Sequence, residues 1–130
     1  TGVVVEDFGD YIGIVFVTFD AASGKAITDF SHVAEIWVRG EDKVRQYASA
    51  ESAFTALAGL KQDGKTIRAV YAQASDSGIK LLADQAWFAS DAKGRLSAFL
   101  LKGQAQQFAA AQGGKVFDFT DATTQVVATR

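Results

Sequence analysis

The alternation of apolar and polar positions gives one order of elements twice along the chain. In residues 33–72, and again in residues 85–119, the pattern predicts strand, turn, strand, helix and strand. The two units are offset by about 50 residues, with a turn-rich stretch between them. We therefore expect an α+β fold, with duplicated strand–turn–strand–helix–strand units and antiparallel sheets, in a single domain of residues 1–130.

The first unit begins with residues 33–39, where apolar and polar positions alternate as in a half-buried strand. Ser49 is a good helix N-cap, because its hydroxyl accepts from free backbone N–H groups of the first turn. Small and apolar residues then follow helical spacing over residues 50–60, until Asp63-Gly64 ends the helix. Residues 66–72 are expected to close the unit as a strand.

The second unit contains strands at residues 85–90 and 96–100, joined by the turn DAKG. A helix is predicted over residues 102–112, and Gly113-Gly114 ends it because glycine adopts the left-handed conformation of a helix C-cap without steric cost. Residues 116–119 return as a strand. The predicted stripe on this helix consists of Leu101, Ala105, Phe108 and Gln112.

The two ends of the chain lie outside the units. Residues 11–19 (YIGIVFVTF) are β-branched, aromatic and apolar on both faces, which predicts a central strand covered on both sides. After a turn, residues 26–30 are predicted to return beside it, so that residues 11–30 form an N-terminal hairpin. In the polar tail, residues 120–130, an edge strand is expected over residues 122–129 and offers a route to dimerisation.

Composition excludes several kinds of site. The net charge is −2 and the 13 basic residues form no run, which argues against nucleic acid as a main partner. The chain has no Cys, Met or Pro, so it has neither a thiolate nor a thioether ligand for a metal. The lack of Met also predicts that Thr1 is not the natural start. No apolar run approaches the roughly 20 residues of a membrane span, so we expect a soluble chain with no transmembrane segment.

Few residues carry candidate chemistry. His32 is the only histidine, and a structural or surface role is favoured over a role as metal ligand, which would need carboxylate partners. Acid–base chemistry by Asp7, Asp10 and Asp20 is the least favoured hypothesis, because no nucleophile–base pair or cofactor motif accompanies them. Gly113-Gly114-Lys115 follows a helix rather than opening one, which makes it a C-cap and not a phosphate loop.

Four aromatic residues occupy equivalent-looking strands of the two units: Trp37, Tyr47, Tyr71 and Trp87. On the outer face of a sheet they would line a groove for a peptide or a small apolar ligand. The alternative is that they form core under the helices, which is the more frequent place for large aromatic side chains.

Two segments resemble the NosL family, periplasmic lipoproteins that handle copper for nitrous oxide reductase. AEIWVRGEDKVRQYASAESAFTAL with KTIRAVYA is similar to the family's first unit, and AWFASDAKGRLSAFLLKGQAQQFAAAQGGKVFDF to its second, including the Gly-Gly-[Lys/Arg]-Val close. Together they cover about two-thirds of the chain. The family's Cys-x-Met motif has no counterpart here, its Met-Gly loop is reduced to residues 91–95, and Gln112 stands where the family often has His.

The resemblance implies an extracytoplasmic, periplasmic accessory domain that delivers metal or binds a partner protein, either a metalloenzyme or an assembly protein, and is not an enzyme. The resemblance assigns none of the family's metal ligands to a residue of this chain. We therefore expect no cofactor in this chain, unless copper(II) binds weakly at His32. The alternative is a metal-free module that binds a small ligand in an aromatic groove at Trp37, Tyr47, Tyr71 and Trp87.

Overall fold

The computed structural model describes the backbone of residues 2–7 and 12–128, and the side chains of residues 18–128. Within those ranges, no helix has the length and apolar character needed to cross a membrane. A short 3₁₀ turn, Ala83–Gln85, accompanies nine strands and three α-helices. They are β1 (Gly2–Asp7), β2 (Ile12–Val17), β3 (Ala34–Val38), β4 (Arg45–Tyr47), α1 (Ala50–Gln62), β5 (Ile67–Gln73), β6 (Lys80–Leu82), β7 (Trp87–Ser90), β8 (Leu96–Phe99), α2 (Lys102–Gln112), β9 (Val116–Phe117) and α3 (Phe119–Ala128).

The predicted order of elements is present in both units, and the α+β class with antiparallel sheets is confirmed. Strand order is β4-β3-β5-β6 in the sheet of the first unit, which β6 joins from the residues between the units, and β8-β7-β9 in the second. The first strand of each unit, β3 or β7, therefore lies between that unit's second and last strands. All of these pairs are antiparallel. A parallel bridge between Ala74 and Ala98 joins the two sheets. That the units arose by duplication stays a prediction.

Helix α1 provides the centre of the main core. Ser49 caps it as predicted, since its hydroxyl accepts from the N–H of Ser52 at 3.1 Å. Phe54 is fully buried and meets the ring of Phe88, in the second unit, edge-on at 5.3 Å between centroids. Phe119 of α3 meets Phe54 in the same way at 5.5 Å. The first unit's helix therefore packs against both sheets and α3.

Helix α2 covers the opposite face of the second sheet with a smaller apolar cluster. Its buried side chains are Ala105 and Ala109, packed with Ala89 and Phe99. The predicted stripe is wrong at both ends: Leu101 is 58% exposed, and Gln112 is exposed. Leu101 is the N-cap, with an extended backbone, so it lies outside the helical turn whose positions face the sheet.

The N-terminal hairpin differs from the prediction. Strand β2 pairs with β1, from Gly2 opposite Val17 to Asp7 opposite Ile12, and has no second neighbour in the described part of the chain. Residues 11–19 are therefore not a central strand. Residues 26–30 return only as a single bridge between Phe19 and Ala26, because β1 pairs with β2 over six residues.

The C-terminal edge strand predicted over residues 122–129 is wrong, since α3 occupies most of that range. The Asp118 carboxylate accepts from the N–H of Asp121 at 2.8 Å, which satisfies a free donor of the first helical turn. Ala122 and Val126 are buried four residues apart, as helical spacing requires. The route to dimerisation through such an edge is therefore lost.

Candidate functional site

The largest cleft found among the described residues lies where the second unit meets the start of α1 and the end of α3. Its volume is about 600 Å³. The floor is apolar, with Leu96 and Val126 both buried. The walls and rim come from Glu51, Thr55, Ser90, Asp91, Ala92, Lys93, Gly94, Gly113, Gly114, Lys115, Phe117 and Gln125.

One wall is built by the close approach of the Gly-Gly-Lys segment to the end of β7. The Lys115 N–H donates to Ser90 Oγ at 2.9 Å, and the Ser90 N–H donates to the Lys115 carbonyl at 2.9 Å. Gly113 has φ +71° and is the C-cap of α2, which confirms that prediction. Gly114 has no positive φ, but a Cβ there would collide with the Ser90 carbonyl. Position 114 therefore needs a glycine because no Cβ fits there, and position 113 favours a glycine because of its left-handed backbone.

The facing wall is the turn at residues 91–95. Asp91 Oδ1 accepts from the N–H groups of Lys93, at 2.8 Å, and Arg95, at 3.0 Å. The bond from the Arg95 N–H is the main cause that holds the pKa of Asp91 below its ordinary value. The Glu51 carboxylate accepts from the N–H of Leu96. Both carboxylates of the cleft therefore hold the protein's own backbone.

The two lysines at the mouth of the cleft, unlike its carboxylates, are exposed to solvent. Lys93 and Lys115 are exposed, and neither forms an ion pair within the described residues. The acidic groups are hydrogen-bonded to backbone N–H groups, and attraction to Lys93 also helps to lower the pKa of Asp91. The rim therefore offers the exposed cations Lys93 and Lys115 to an incoming group. An apolar floor with a cationic rim suits a segment that carries both apolar and acidic side chains.

His32 lines a second cavity, of about 270 Å³, on the other side of Glu51 and Leu96. Asp29 and Arg95 lie in the same lining. The hydroxyl of Ser31, which donates to Asp29 at 2.6 Å, is the main cause that lowers the pKa of Asp29, and electrostatic attraction to His32 and Arg95 adds to it. Among the described residues no three His, Asp or Glu side chains converge to hold a metal ion. Copper(II) at His32 stays a prediction.

The four aromatic residues do not form one groove. Trp37 and Tyr71 share the face of the four-stranded sheet that is turned away from α1, as the pairing of Trp37 with Ala69 and of Tyr71 with Glu35 requires. Tyr47 is 1% exposed in the main core, and Trp87 packs with the cluster under α2. Cations lie over three of the rings: Arg68 over Trp37 at 4.6 Å, Lys80 over Tyr71 at 4.7 Å and Lys102 over Trp87 at 5.0 Å.

Of the acidic residues considered for acid–base chemistry, Asp20 has a structural environment. It is 4% exposed and accepts from the N–H groups of Ala22, Ser23 and Ala48, at 2.8–2.9 Å, and from the Ser52 hydroxyl at 3.2 Å. Burial alone would raise its pKa, but these hydrogen bonds outweigh burial and hold the pKa below its ordinary value. Asp7 ends β1, and Asp10 lies outside the described residues.

Sequence reasoning missed the cleft itself, although one signal for it was present. A helix C-cap needs one residue with positive φ, and Gly113 supplies it. The second glycine is therefore not explained by the cap, and a glycine with ordinary φ commonly marks a close approach of two backbones. Gly114 against Ser90 is such an approach.

Comparison with known proteins bears on the fold. No family model matches the sequence, and no curated protein matches it. Among solved structures, the copper chaperone NosL from Shewanella denitrificans superposes with a TM-score of 0.64 and 21% sequence identity, over 80% of this chain and 87% of that one. The expected NosL-like architecture is thereby confirmed at the level of the fold. This chain has the fold of a NosL copper chaperone.

Proposed function

We propose that this chain is an extracytoplasmic accessory domain that serves the maturation of a metalloenzyme by binding a partner protein at its largest cleft. Support comes from the fold shared with a protein described as a copper chaperone. The observation that carries the proposal is the meeting of two segments in that cleft, residues 91–94 of the turn and the Gly113–Lys115 close, which directly follows Gln112. These are the places where the resemblance to the NosL family puts a Met-Gly loop and a histidine.

The donor chemistry favours partner binding over storage of copper by this chain. Copper(I) prefers sulfur ligands, and the sequence has no Cys and no Met. The carboxylates at the cleft, Asp91 and Glu51, accept from backbone N–H groups, so a metal would have to displace those bonds. Metal delivery by this domain therefore requires ligands from the partner, with the domain providing the docking surface.

A site-specific photocrosslinker tests this proposal. It would replace Lys93 at the rim of the cleft and, in a matched control, Gln107, which is exposed on α2. Each variant would be irradiated in an extract of the source cells, and crosslinked proteins would be identified by mass spectrometry. We expect a metalloenzyme or one of its assembly proteins to be crosslinked at position 93 and not at 107.

The rim charges give a second, independent readout. Changing both Lys93 and Lys115 to Glu should reduce recovery of that partner, whereas the same change at Lys25 and Lys43, exposed elsewhere, should not. Equal crosslinking at 93 and 107, or recovery that is indifferent to the rim charges, would contradict docking at the cleft.

A second candidate function is the binding of a small aromatic or apolar ligand on the outer face of the four-stranded sheet. Trp37 and Tyr71 share that face and are each half-buried, which supports a narrower form of the predicted groove. A ligand panel that quenches tryptophan fluorescence in the native chain but not in Trp37→Phe would favour it. Quenching that survives Trp37→Phe, or none with any ligand, would count against it.

A further inference from the structure

A separate apolar cleft lies between α1 and α3, away from the proposed docking site. Its volume is about 400 Å³. Phe54 and Leu57 form its floor and are fully buried, while Val127 on the wall is 43% exposed. The remaining lining comes from Ala58, Lys61, Thr123, Thr124 and Ala128.

The polar groups of this lining are already used, with one exception. The hydroxyls of Thr123 and Thr124 both donate to the Thr120 carbonyl, at 2.8 and 2.9 Å, within α3 itself. The two threonines therefore have no need of a hydrogen-bond acceptor from a ligand. Lys61 is exposed, and its ammonium group has no ion pair among the described residues.

This apolar cleft has at its edge a cation, Lys61, that forms no ion pair with any described residue, and the combination selects a particular kind of ligand. An uncharged hydrocarbon would bury apolar surface but leave the ammonium group unused, and a cationic amphiphile would be repelled by it. An acyl chain that ends in a carboxylate matches both features. We propose that the cleft between α1 and α3 binds an aliphatic carboxylate of medium chain length, with the chain between the helices and the carboxylate at Lys61.

The probe that tests this proposal is sodium decanoate below its micelle concentration, with 1-decanol and decyltrimethylammonium as neutral and cationic partners of equal chain length. Isothermal titration calorimetry would measure affinity, and methyl NMR shifts of Leu57 and Val127 would locate the site. We expect saturable one-to-one binding of decanoate with shifts at both methyl groups. Decanol should bind more weakly, and the cation most weakly of the three.

Variants separate the contribution of the cleft from that of the charge. Ala58→Phe fills the cleft and should abolish binding, whereas Ala110→Phe, on an exposed position of α2, should not. Val127→Asp changes an exposed side chain and should also abolish binding, by repelling the carboxylate, even if Ala58→Phe perturbs the fold. Lys61→Gln should weaken decanoate binding by about 2- to 5-fold, as loss of an exposed ion pair implies. Lys65→Gln, which removes a lysine outside the cleft, should leave decanoate affinity unchanged.

The result that overturns the proposal is equally specific. Absence of saturable decanoate binding would do so, and so would binding that persists in both Ala58→Phe and Val127→Asp. If decanol or the cation bound as tightly as decanoate, Lys61 would not select the ligand and the assignment of a carboxylate would be wrong. None of these measurements depends on the cleft near Lys93, so they stand apart from the test of partner docking.

Discussion

The two units have the same order of elements and the same arrangement of strands, yet they bury their helices differently. In the first unit, α1 buries five side chains, among them Phe54, and contacts both sheets and α3. In the second, α2 buries only Ala105 and Ala109 and lies on the outside of its sheet. The same order of elements therefore places α1 in the centre of the main core, whereas it places α2 over a small apolar cluster on the outside of the second sheet.

The difference shows that position in the fold, rather than order along the chain, determines what each helix contributes. The sheet of the second unit has apolar residues on both faces, because α2 covers one face and the main core covers the other. The four-stranded sheet has α1 on one face and carries Glu35, Trp37 and Tyr71 on the other. Five predictions test or sharpen this contrast.

The largest effect is expected in the aromatic core of α1. Phe54→Ala should lower the free energy of unfolding by about 3–5 kcal/mol, because it removes a fully buried ring that touches two others. Phe108→Ala in α2 should cost about 1–2 kcal/mol, since that ring is only partly buried. Urea unfolding measures both. Equal losses would contradict the difference between the two helices.

The next effect concerns two carboxylates that accept from backbone N–H groups, Asp20 ahead of the first unit and Asp91 in the turn between β7 and β8 of the second. Asp20→Ala removes the acceptor for three backbone N–H groups and one hydroxyl, and should cost about 2–4 kcal/mol. Asp91→Ala, on an exposed turn, should lower the free energy of unfolding much less, because water can replace the lost acceptor. Chemical denaturation at pH 7 compares the two variants.

The same comparison has a pH dependence with a definite sign. Because the folded-state pKa of Asp20 is lowered, its contribution is fully present above the unfolded pKa of about 3.9 and is lost as pH falls through the folded pKa. The stability difference between the native chain and Asp20→Asn should therefore narrow below pH 4. A difference that stayed constant from pH 7 to pH 2 would contradict the lowered pKa.

Two glycines give opposite expectations in the two units. Gly114→Ala places a methyl group against the Ser90 carbonyl and should cost about 1–3 kcal/mol, with NMR shifts centred on residues 90 and 115. Gly59→Ala, inside α1 with open space around it, should raise the free energy of unfolding by about 0.5–1 kcal/mol, because alanine favours the helix more than glycine does. Thermal unfolding measures both. A harmless Gly114→Ala would mean that the wall of the cleft is looser than described.

The smallest expected effect comes from the cations over the two tryptophans. Arg68→Ala, which uncovers Trp37, and Lys102→Ala, which uncovers Trp87, should each cost about 0.5–1 kcal/mol. Acrylamide quenching of fluorescence should rise in both variants. If quenching rose in neither variant, the cations would not cover the rings in solution.

The sequence predicted the units well because their signals are local. Helix bounds at residues 50 and 102–112, the Ser49 cap and the Gly113 cap follow from side chains within a few residues of each boundary. The wrong predictions concern pairing and capping partners, which the pattern of apolar and polar residues does not specify. Strand β2 found β1 rather than residues 26–30, and Asp118 started a helix where a strand was expected.

The candidate site was less predictable, because its parts are far apart in sequence. Glu51, Ser90 and Gly114 line one cleft only when the two units pack together, and no local sequence pattern predicts that contact. The aromatic groove illustrates the same limit: alternation placed Trp37 on an outer face correctly, but Tyr47 faces the core because its strand pairs with Ala34 in that register.

The central proposal is that this chain, which shares the fold of a copper chaperone and has no Cys or Met, does not hold copper(I) itself and acts through a partner. Native mass spectrometry with copper(I), copper(II) and zinc(II), beside a His32→Ala control, tests it most directly. We predict no stoichiometric copper(I) complex, and at most weak copper(II) binding that is lost in the control. A tight one-to-one copper(I) complex with the native chain would contradict the account.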